Sequence, residues 1–322
     1  MNLLVTGGAG FIGSHLCRFF LNQGYNVRSV DNFSTGYKYN FKDLLINKNF
    51  EFIEGDIRDI DFCNLACKNI DIVSHQAALG SVPRSIKDPL TSHQVNVNGF
   101  INMLLASKKN NIKKFIYASS SSVYGDSDNL PKVESITGNP MSPYALTKKI
   151  NEDYTRIFSN LYNLRTFGLR YFNVFGPYQD PNGPYAAVIP KFINKFINKE
   201  SPVINGDGKF SRDFTYIDNI LHFHDLLIKK QSINSNFENF NVACGGSISI
   251  LDLAKEIKNQ LILFDNEIKK IEIKFRDERE GDVPHSLASV KKSNEILNYK
   301  PKVHFKDGIF KTVEWYWINK KF

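Results

Sequence analysis

The sequence predicts an α/β fold, in which a doubly wound parallel sheet is joined to a smaller, mixed α/β C-terminal domain. Short apolar strand patterns alternate with helical patterns through the first half of the 322 residues. From about residue 175 this alternation loosens, and Gly and Pro cluster in the links between helices. A chain of this length buries about 75% of its unfolded surface on folding, so its core requires no disulfide or metal.

The predicted elements of the first half follow the order strand, helix, strand. Strand patterns cover Leu3–Thr6, Tyr25–Val30, Phe50–Glu54, Ile70–Ser74, Lys114–Ser119 and Leu164–Arg170. Helical spacing covers Phe11–Gln23, Ser92–Lys109, Ser142–Tyr162 and, later in the chain, Val188–Asn198 and Ile250–Gln260. Because this order needs helical crossovers between strands, we expect a parallel sheet with helices on both faces.

The predicted domain boundary lies near residue 174. Residues 1–174 form the sheet domain and residues 175–322 the second domain. Within the latter, Asp218–Lys229 and Phe240–Ala243 have a helix and a strand pattern. We therefore expect the segment of about 218–243 to return to the first sheet.

Composition argues against several functional classes. The 41 Lys+Arg and 33 Asp+Glu give a formal charge of +8, but the lysine doublets are dispersed and lack interleaved aromatics, so they indicate a solvated surface rather than a nucleic-acid site. No run approaches the 18 apolar residues of a membrane span. The N-terminus lacks the pattern of a secretory signal, and we expect a cytoplasmic protein.

Four cysteines are too few and too scattered for a disulfide framework in a chain of this length. Cys63 and Cys67 are four residues apart in an apparent helix, and no second Cys or His pair at ligand spacing lies nearby. We therefore expect thiols and no metal site.

A glycine-rich turn follows the first predicted strand and opens the first helix. Gly7 suits a positive φ, Gly10 a close approach of the backbone to a pyrophosphate, and Gly13 the packing of helix on strand. Asp31 ends the second strand, 18 residues after Gly13, where it can accept hydrogen bonds from ribose hydroxyls. An acidic residue there also repels a 2′-phosphate. The pattern predicts a Rossmann-type domain that binds NAD rather than NADP, with Asp56 and Ile57 available to the adenine.

Tyr144 and Lys148 place a phenol and an ammonium one turn apart on one helical face. A free tyrosine has a pKa near ~10, and a neighbouring ammonium favours its phenolate form, which can act as a base. Ser142 suits the N-cap and Pro143 the first turn of this helix. The same spacing also arises by chance on amphipathic helices, so the pair gains weight from its surroundings.

Those surroundings include the run Ser119–Ser122, which follows the strand Lys114–Ala118. Such a strand ends at the carboxyl edge of the sheet, where doubly wound folds bind their ligands. The spacing of the glycine turn and the serine, tyrosine and lysine together resemble the extended branch of the short-chain dehydrogenase/reductase family, which acts mainly on nucleotide-linked sugars. By this resemblance the catalytic residues are Ser120, Tyr144 and Lys148.

The resemblance also assigns a larger set of residues to NAD. These are Gly7, Gly10, Phe11, Ile12, Gly13, Asp31, Asn32, Ser34, Thr35, Gly36, Asp56, Ile57, Gln76, Ala77, Ala78, Tyr144 and Lys148. Dehydratases and decarboxylases of this family carry acidic residues where this chain has Ser121 and Ser122. Serine is no acid or base at neutral pH, so the resemblance implies oxidation at C4 of the sugar followed by reduction from the other face, which is epimerisation.

Longer motifs narrow the resemblance to bacterial UDP-N-acetylglucosamine 4-epimerases of the polysaccharide-biosynthesis type. The motifs are Gln76–Ser85, Arg170–Pro177, Gln179–Gly183, Ala186–Lys191, Asn205–Gly208, Arg212–Phe214 and Arg279–Ser286. By this resemblance the UDP-sugar is bound by Gly80, Ser81, Ser120, Ser121, Ser122, Asn173, Gln179, Ala187, Val188, Lys191, Val203, Asn205, Arg212, Arg279, Asp282 and Ser286. Arginines suit a diphosphate because they can donate two hydrogen bonds at once.

Ser286 and Val203 bear on the choice of substrate. Similar epimerases restricted to non-acetylated hexoses carry a tyrosine where this chain has Ser286, and a serine leaves room for a 2-acetamido group. We therefore expect UDP-GlcNAc and UDP-GalNAc as the substrate pair, with weaker activity on UDP-Glc and UDP-Gal. Val203 replaces an aromatic that often stacks on uracil in similar enzymes.

Three alternatives stay open. An enzyme of the same fold could act on UDP-uronates, with Arg84 or another basic side chain accepting the carboxylate. The chain could be a non-catalytic NAD-binding protein, against which Ser120, Tyr144 and Lys148 argue, or a nucleic-acid binder, against which the dispersed lysines argue. The resemblance also implies a homodimer formed through the helices Ser92–Lys109 and Ser142–Asn160, whose apolar residues could equally be core.

Overall fold

The structure is a computed structural model that describes residues 1–183, 185–278 and 284–319. The chain divides into two compact units. The first unit consists of Met1–Ser127, Glu134–Tyr171 and His224–Asn241. The second unit consists of Asp128–Val133, Phe172–Phe223 and Val242–Phe322.

Both units contain strands and helices, which are numbered in chain order. The strands are β1 (Asn2–Thr6), β2 (Asn26–Asp31), β3 (Phe50–Glu54), β4 (Ile72–His75), β5 (Lys114–Ser120), β6 (Thr166–Tyr171), β7 (Val174–Phe175), β8 (Val203–Asn205), β9 (Ser211–Arg212), β10 (Thr215–Tyr216), β11 (Phe237–Val242), β12 (Ile248–Ser249), β13 (Lys274–Arg276) and β14 (His285–Ser286). The α-helices are α1 (Phe11–Asn22), α2 (Ile60–Cys67), α3 (Val82–Lys87), α4 (Pro89–His93), α5 (Phe100–Lys109), α6 (Pro143–Tyr162), α7 (Val188–Ile197), α8 (Ile217–Lys229), α9 (Ile250–Ile262), α10 (Lys291–Leu297) and α11 (Phe305–Ile318).

The first unit is built on a seven-stranded sheet with the order β11-β6-β5-β4-β1-β2-β3. The pairs from β6 to β3 are all parallel. At the β11 edge, the N–H groups of Thr166 and Phe172 donate to the carbonyls of Asn236 and Val242, a step of six residues on both strands, so this pair is parallel too. The predicted doubly wound parallel sheet is confirmed, and β11, in the segment expected to return, lies at its edge.

The strands are buried because helices cover the sheet on both faces. In β1, Leu3, Leu4 and Val5 are fully buried, and in β5 Phe115 and Tyr117 are fully buried. Such continuous apolar runs, without alternation, are typical of parallel strands. Burial of these strands fixes the positions of their ends, and the ends carry the candidate site.

The predicted helix Ser92–Lys109 is interrupted. It consists of α4, a π-helical turn at Gln94–Gly99, and α5. The Asn96 amide makes hydrogen bonds with both backbone groups of Leu79, at 2.7 and 3.1 Å, and donates to Thr147 Oγ1 at 3.3 Å. This wide turn ties the loop after β4 to α6, and π-helical turns are frequent at functional sites.

The second unit combines helices with short strands. The helices α7, α9 and α11 bury apolar side chains that include Phe192, Phe196, Ile257 and Val313. The short strands form small sheets with the orders β12-β9-β14, β13-β8 and β10-β7. In the described ranges, none of the helices combines the length and the apolarity needed to cross a membrane.

The cysteines are thiols, as expected. Cys63 and Cys67 lie buried on α2, and burial raises the pKa of each to about 12. Among residues 1–183, 185–278 and 284–319, no group of three or more His, Cys, Asp or Glu side chains is arranged to hold a metal ion.

Candidate active site

The glycine turn between β1 and α1 has the geometry that its three glycines predict. Gly7 has φ +69°, a left-handed conformation that favours glycine. A Cβ on Gly13 would lie 2.1 Å from the Gly7 carbonyl oxygen, so helix and turn touch there without room for a side chain. Gly10 is the N-cap of α1, and no side chain caps the helix. The N–H groups of the first helical turn are therefore available to an anion such as a pyrophosphate.

Asp31 closes this turn from the end of β2. Its carboxylate accepts hydrogen bonds from the N–H of Ala9 at 3.0 Å and from the N–H of Phe33 at 2.8 Å. Burial raises the pKa of Asp31, and these backbone hydrogen bonds oppose the rise. Each oxygen keeps a lone pair that could accept from a ribose hydroxyl. Asp31 thus holds the glycine turn and is placed to bind a nucleotide.

The loop after β2 packs against the same turn. A Cβ on Gly36 would lie 2.7 Å from the Cβ of Ala9, and the N–H of Tyr37 donates to the Ala9 carbonyl. Ser34 and Thr35 are exposed in this loop, and the N–H of Ser34 donates to Asn32 Oδ1 at 3.1 Å. The loop can therefore wrap a nucleotide bound at the turn.

Asp56 has a partner that the sequence did not reveal. Its carboxylate binds the Arg58 guanidinium at 2.7 Å and accepts from Asn32 Nδ2 at 2.9 Å. The hydrogen bonds from Arg58 lower the pKa of Asp56 to about 2. Ile57, beside it, is buried, and its carbonyl accepts from Asn102 at 3.0 Å. Asp56 therefore stays ionised and already holds one cation.

The loop after β4 lies directly against the glycine turn. Thr6 Oγ1 accepts from the N–H groups of Gln76 and Ala77, each at 3.1 Å. A Cβ on Gly7 would lie 2.8 Å from the Ala77 nitrogen. The Gln76 carboxamide accepts from the Tyr171 hydroxyl at 3.1 Å and donates to Ser74 at 3.1 Å, so its orientation is fixed. Ala78 follows in the same loop.

The three predicted catalytic residues lie together at the ends of β5 and α6. Ser120 is the last residue of β5, and its side chain is hydrogen-bonded to that of Tyr144, in the first turn of α6. Ser142 caps this helix, its Oγ accepting from the Ala145 N–H at 3.1 Å. One turn further, Lys148 Nζ donates to the Ala118 carbonyl at 2.7 Å. The Ser120 hydroxyl, the Tyr144 phenol and the Lys148 ammonium thus lie near the end of β5 and the start of α6.

The electrostatics of this group differ from the expectation. Burial raises the pKa of Tyr144, and the hydrogen bond with Ser120 is the effect that lowers it. Lys148, whose ammonium lies 5.8 Å from the centre of the Tyr144 ring, is hydrogen-bonded to backbone rather than to the phenol. Burial also lowers the pKa of Lys148 to about 8. The expected stabilisation of phenolate by Lys148 is therefore outweighed here by the loss of water around the phenol.

The turn after Ser120 carries two further predicted residues. Ser121 and Ser122 begin the single turn Ser121–Tyr124, and the Ser122 N–H donates to Ser120 Oγ at 3.1 Å. Ser122 Oγ is buried without a hydrogen-bond partner in the described part of the chain. The turn itself, Ser-Ser-Val-Tyr, contains no carboxylate.

Gly80 and Ser81 precede the short helix α3. Ser81 has φ 107° and caps α3, its Oγ accepting from the Arg84 N–H at 3.3 Å. A Cβ on Gly80 would meet nothing within 4 Å, so the backbone there faces open space. Ser85 Oγ accepts from the N–H of Tyr144 at 3.0 Å, which ties this loop to the start of α6.

In the second unit, Asn173 and Gln179 flank β7. Asn173 has φ 33° and donates to the Asp213 carbonyl at 3.2 Å. Gln179 donates to the Val174 carbonyl at 3.3 Å, while its Oε1 is buried with no hydrogen-bond partner among the residues described. Such a buried acceptor is suited to a ligand hydroxyl.

The helix α7 with its N-cap and the strand β8 carry five more predicted residues. Ala187 is the N-cap of α7 without a side-chain cap, Val188 begins the helix, and Lys191 is exposed on it. Asn205 accepts from Arg276 Nε at 2.5 Å across the β8–β13 pair. Arg276 was not singled out in the sequence. Val203, at the other end of β8, is 44% exposed, so its surface is available to a flat ring.

Arg212 and Ser286 are neighbours in register on the parallel strands β9 and β14. Arg212 Nη1 donates to the carbonyls of Ser211 at 2.9 Å and Pro284 at 3.1 Å, which orients the guanidinium. Arg279 and Asp282, also predicted at the substrate, lie outside the described residues.

A buried carboxylate that the sequence did not reveal supports this pair of strands. Asp213 accepts from the N–H groups of Cys244, Gly245 and Ala288 at 2.9 to 3.3 Å. Burial raises the pKa of Asp213 to about 6. Because its partners are backbone groups far along the chain, residue spacing carries no signal for this role.

The fold and the site define a dinucleotide-binding protein with a serine, a tyrosine and a lysine at the carboxyl edge of its sheet. The chain belongs to the NAD dependent epimerase/dehydratase family, whose model matches residues 3–243. NAD is therefore its cofactor, and the turn at Gly7, Gly10 and Gly13 with Asp31 fits that group.

Three relatives span the whole chain. A UDP-N-acetylglucosamine 4-epimerase from Methanobrevibacter ruminantium, solved with UDP-N-acetylmuramic acid, is 41% identical with a TM-score of 0.91, over 99% of this chain and 98% of that one. A UDP-glucuronic acid 4-epimerase from Bacillus cereus, solved with UDP-glucuronic acid and NAD, is 31% identical with a TM-score of 0.88, over 100% of both chains. A putative UDP-glucose 4-epimerase of Methanocaldococcus jannaschii is 37% identical over 99% of each chain. The resemblance expected from the motifs is confirmed.

Substitution of Gly13 tests the cofactor cradle. In Gly13→Ala the new Cβ would meet the Gly7 carbonyl at 2.1 Å, so the turn must shift and its N–H groups lose their common direction. We expect NAD to bind at least about 10-fold more weakly, which corresponds to about 1.4 kcal/mol. Calorimetric titration of NAD into cofactor-stripped protein measures this.

Gly246→Ala is the matched control, because a Cβ there meets nothing within 4 Å. Equal affinity of Gly13→Ala and Gly246→Ala for NAD would show that the turn does not hold the cofactor.

Proposed function

We propose that the protein is an NAD-dependent 4-epimerase that interconverts UDP-GlcNAc and UDP-GalNAc for polysaccharide biosynthesis, with weaker activity on UDP-Glc and UDP-Gal. The observation that carries the reaction type is the cluster of Ser120, Tyr144 and Lys148 beside a turn without a carboxylate. The cluster can move one proton at a sugar hydroxyl, while a dehydratase needs a further acid or base. Transient oxidation at C4 followed by reduction from the opposite face requires only this one proton transfer, besides the hydride transfer.

In this proposal, NAD would supply the hydride acceptor for C4 of the sugar and, once reduced, the hydride donor. Tyr144 takes the proton from O4 and gives it back after the 4-keto sugar has rotated to present its opposite face. Ser120 has a single hydroxyl proton, which it can donate either to the Tyr144 oxygen or to the sugar oxygen, and it lies where it can hold the sugar hydroxyl beside Tyr144. Lys148, anchored on the Ala118 carbonyl, supplies positive charge that favours the ionised phenol and so acts against the effect of burial on the Tyr144 pKa.

The proposed NAD site comprises the residues around the glycine turn. The N–H groups at the N-terminus of α1 would hold the pyrophosphate, and Asp31 would accept from the adenosine ribose. Gln76, whose carboxamide is fixed by Tyr171 and Ser74, lies between the glycine turn and the strand that ends at Ser120. It can therefore contact the part of NAD that extends toward the reacting sugar.

The proposed UDP-binding residues of the second unit offer backbone N–H groups and polar side chains that suit a nucleoside diphosphate. The N-terminus of α7 at Ala187 offers N–H groups, and the oriented Arg212 guanidinium can bind phosphate. Gln179, with its buried unpaired Oε1, is assigned to a sugar hydroxyl. Asn205 and the exposed Val203 are assigned to the uridine.

Ser286 supports the preference for 2-acetamido sugars. Its backbone is fixed by the β9–β14 pairing and by the hydrogen bond from the Asp213 N–H to its carbonyl, at 2.8 Å. The side chain at this position is therefore held in one place, and a serine there leaves volume that a tyrosine would fill. The similarity to the Methanobrevibacter ruminantium enzyme agrees with this preference.

A UDP-uronate is the second candidate substrate. The Bacillus cereus relative acts on UDP-glucuronic acid, and it matches this chain over its full length. Arg84, whose N–H is bonded to Ser81, lies in the loop that also binds the start of α6 through Ser85. A guanidinium in that loop could accept a carboxylate.

A second copy of the chain is the proposed partner. Exposed apolar side chains line α5 and α6, among them Leu105, Leu146, Ile157 and Leu161 at 42 to 68% exposure. Their spacing on α6 forms one face, and contiguous exposed apolar surface marks an interface.

We expect a dimer in sedimentation experiments, and Leu161→Glu should convert it to monomer. Leu263→Glu, an equally exposed leucine on another helix end, is the control, and a monomeric wild type would contradict the assignment.

Substitution of Tyr144 tests the proposed mechanism. Tyr144→Phe removes the group that accepts the O4 proton but leaves the NAD turn intact, so kcat should fall by at least about 100-fold with NAD affinity unchanged. Epimerisation followed by NMR and cofactor binding followed by calorimetry measure the two effects. Tyr154→Phe, ten residues along the same helix, is the control, and a fully active Tyr144→Phe enzyme would remove Tyr144 as the base.

A comparison of three UDP-sugars tests the proposed substrate. Purified protein is incubated in parallel with UDP-GlcNAc, UDP-Glc and UDP-glucuronate, and 4-epimers are quantified by NMR. We expect the highest kcat/KM with UDP-GlcNAc. In Ser286→Tyr that value should fall at least about 10-fold while UDP-Glc is still converted, since only the 2-acetamido group loses its space. Rapid conversion of UDP-glucuronate alone would instead support the uronate candidate.

A further inference from the structure

A buried ion pair lies one turn below the catalytic lysine. Glu152 and Arg170 are 2% and 3% exposed. The Nε and Nη2 atoms of Arg170 donate to the two Glu152 oxygens at 2.9 and 2.8 Å, a bidentate contact between α6 and β6. Neither residue belongs to the reacting group described above.

The pair is connected to the strand that carries Ser120. Ser119 donates from its hydroxyl to Glu152 Oε1 at 2.6 Å, and it is 3% exposed. Ser119 immediately precedes Ser120 in β5, and Glu152 follows Lys148 by one helical turn and Tyr144 by two. The short hydrogen bond therefore joins the two elements whose ends must meet at the Ser120–Tyr144 contact.

The other side of the pair holds the serine turn. Arg170 Nη1 donates to the Tyr124 hydroxyl at 3.0 Å, and the guanidinium lies 4.9 Å from the centre of the Tyr124 ring. Tyr124 ends the turn Ser121–Tyr124, and its hydroxyl donates to Asn241 Oδ1 at 2.6 Å. The same arginine thus contacts both the helix of Tyr144 and the loop that follows Ser120.

Stability alone does not account for this arrangement. Apolar side chains of similar volume often stabilise a core as well as a buried ion pair does, because desolvation of the two charges offsets their attraction. What an ion pair adds is fixed direction, since the fork of an arginine binds a carboxylate in one geometry. A misplacement of about 1 Å at a reacting centre can cost about 100-fold in rate.

We propose that Ser119, Glu152 and Arg170 are positioning residues that set the distance between Ser120 and Tyr144, and so the alignment of both with the sugar hydroxyl. The inference rests on the proposed function only for its kinetic consequence. The positioning of Tyr144 itself is independent of which sugar reacts.

Ser119→Ala is the variant that tests the proposal. Replacement of Glu152 would leave Arg170 charged and buried without its partner, which endangers folding. Ser119→Ala keeps the ion pair and removes only its link to β5. Ser159→Ala is the matched control, because Ser159 is a buried serine on the same helix whose hydroxyl has no hydrogen-bond partner in the described chain. Ser119→Thr restores the hydroxyl.

Kinetics provide the first readout. We expect Ser119→Ala to lower kcat about 10-fold with KM for the UDP-sugar unchanged, since alignment rather than binding is lost. Ser119→Thr should recover most of kcat, and Ser159→Ala should match the wild type. Thermal denaturation of all three variants checks that they fold alike. If Ser119→Ala retains the kcat of Ser159→Ala, the proposal is overturned.

NMR provides a readout that needs no substrate. With 13C-labelled tyrosine, the ring resonance of Tyr144 is assigned by its absence in Tyr144→Phe, and it reports the hydrogen bond with Ser120. The resonance should move in Ser119→Ala and stay in place in Ser159→Ala. A wild type that epimerises no UDP-sugar would refute the proposed function, and an unmoved Tyr144 resonance would separately refute the positioning role.

Discussion

The parallel alignment of the central strands is the constraint on which the candidate site depends. In register, Thr6 of β1 pairs with Val30 of β2 and His75 of β4, and His75 pairs with Tyr117 of β5. Each of these strands ends within a few residues of these positions, at the same edge of the sheet. The glycine turn, Asp31, the Gln76 loop and Ser120 therefore come together although more than 100 residues separate the first from the last.

Burial shapes the chemistry of this edge in two opposing ways. It raises the pKa of Tyr144 and lowers that of Lys148 to about 8, so each pKa moves in the direction of the neutral form, although Lys148 is still mostly an ammonium at neutral pH. The neighbouring hydroxyl of Ser120 acts against this for Tyr144. A reaction in which the same proton is removed and then returned needs access to the ionised phenol, so the effect of Ser120 has to be supplemented. Charge supplied by bound ligands would add to the effect of Ser120.

The sequence predicted those parts of the site that local spacing controls. The glycine turn and the Ser142 cap each follow from the residues at the start of one helix, and the structure has both geometries as predicted. Asp31 lies at the end of β2, as its spacing predicted. Features that depend on distant partners were missed. Glu152 and Arg170 are 18 residues apart, and Asn96, in the π-helical turn inside a predicted helix, contacts Leu79 and Thr147. The Arg58 guanidinium on the Asp56 carboxylate was also missed, although Arg58 is only two residues away. The direction of the Tyr144 pKa was also missed, because burial cannot be read from an i, i+4 pair.

The proposed epimerisation requires that the hydrogen at C4 leaves the sugar and returns to the same carbon without exchange with water. Epimerisation of UDP-GlcNAc in D2O, followed by NMR of the UDP-GalNAc formed, tests this most directly. The account predicts that the product retains its hydrogen at C4, with no deuterium at C3, C4 or C5. Deuterium at any of these carbons would contradict it, because that result requires a carbon-bound proton to exchange with solvent rather than a hydride held in the site.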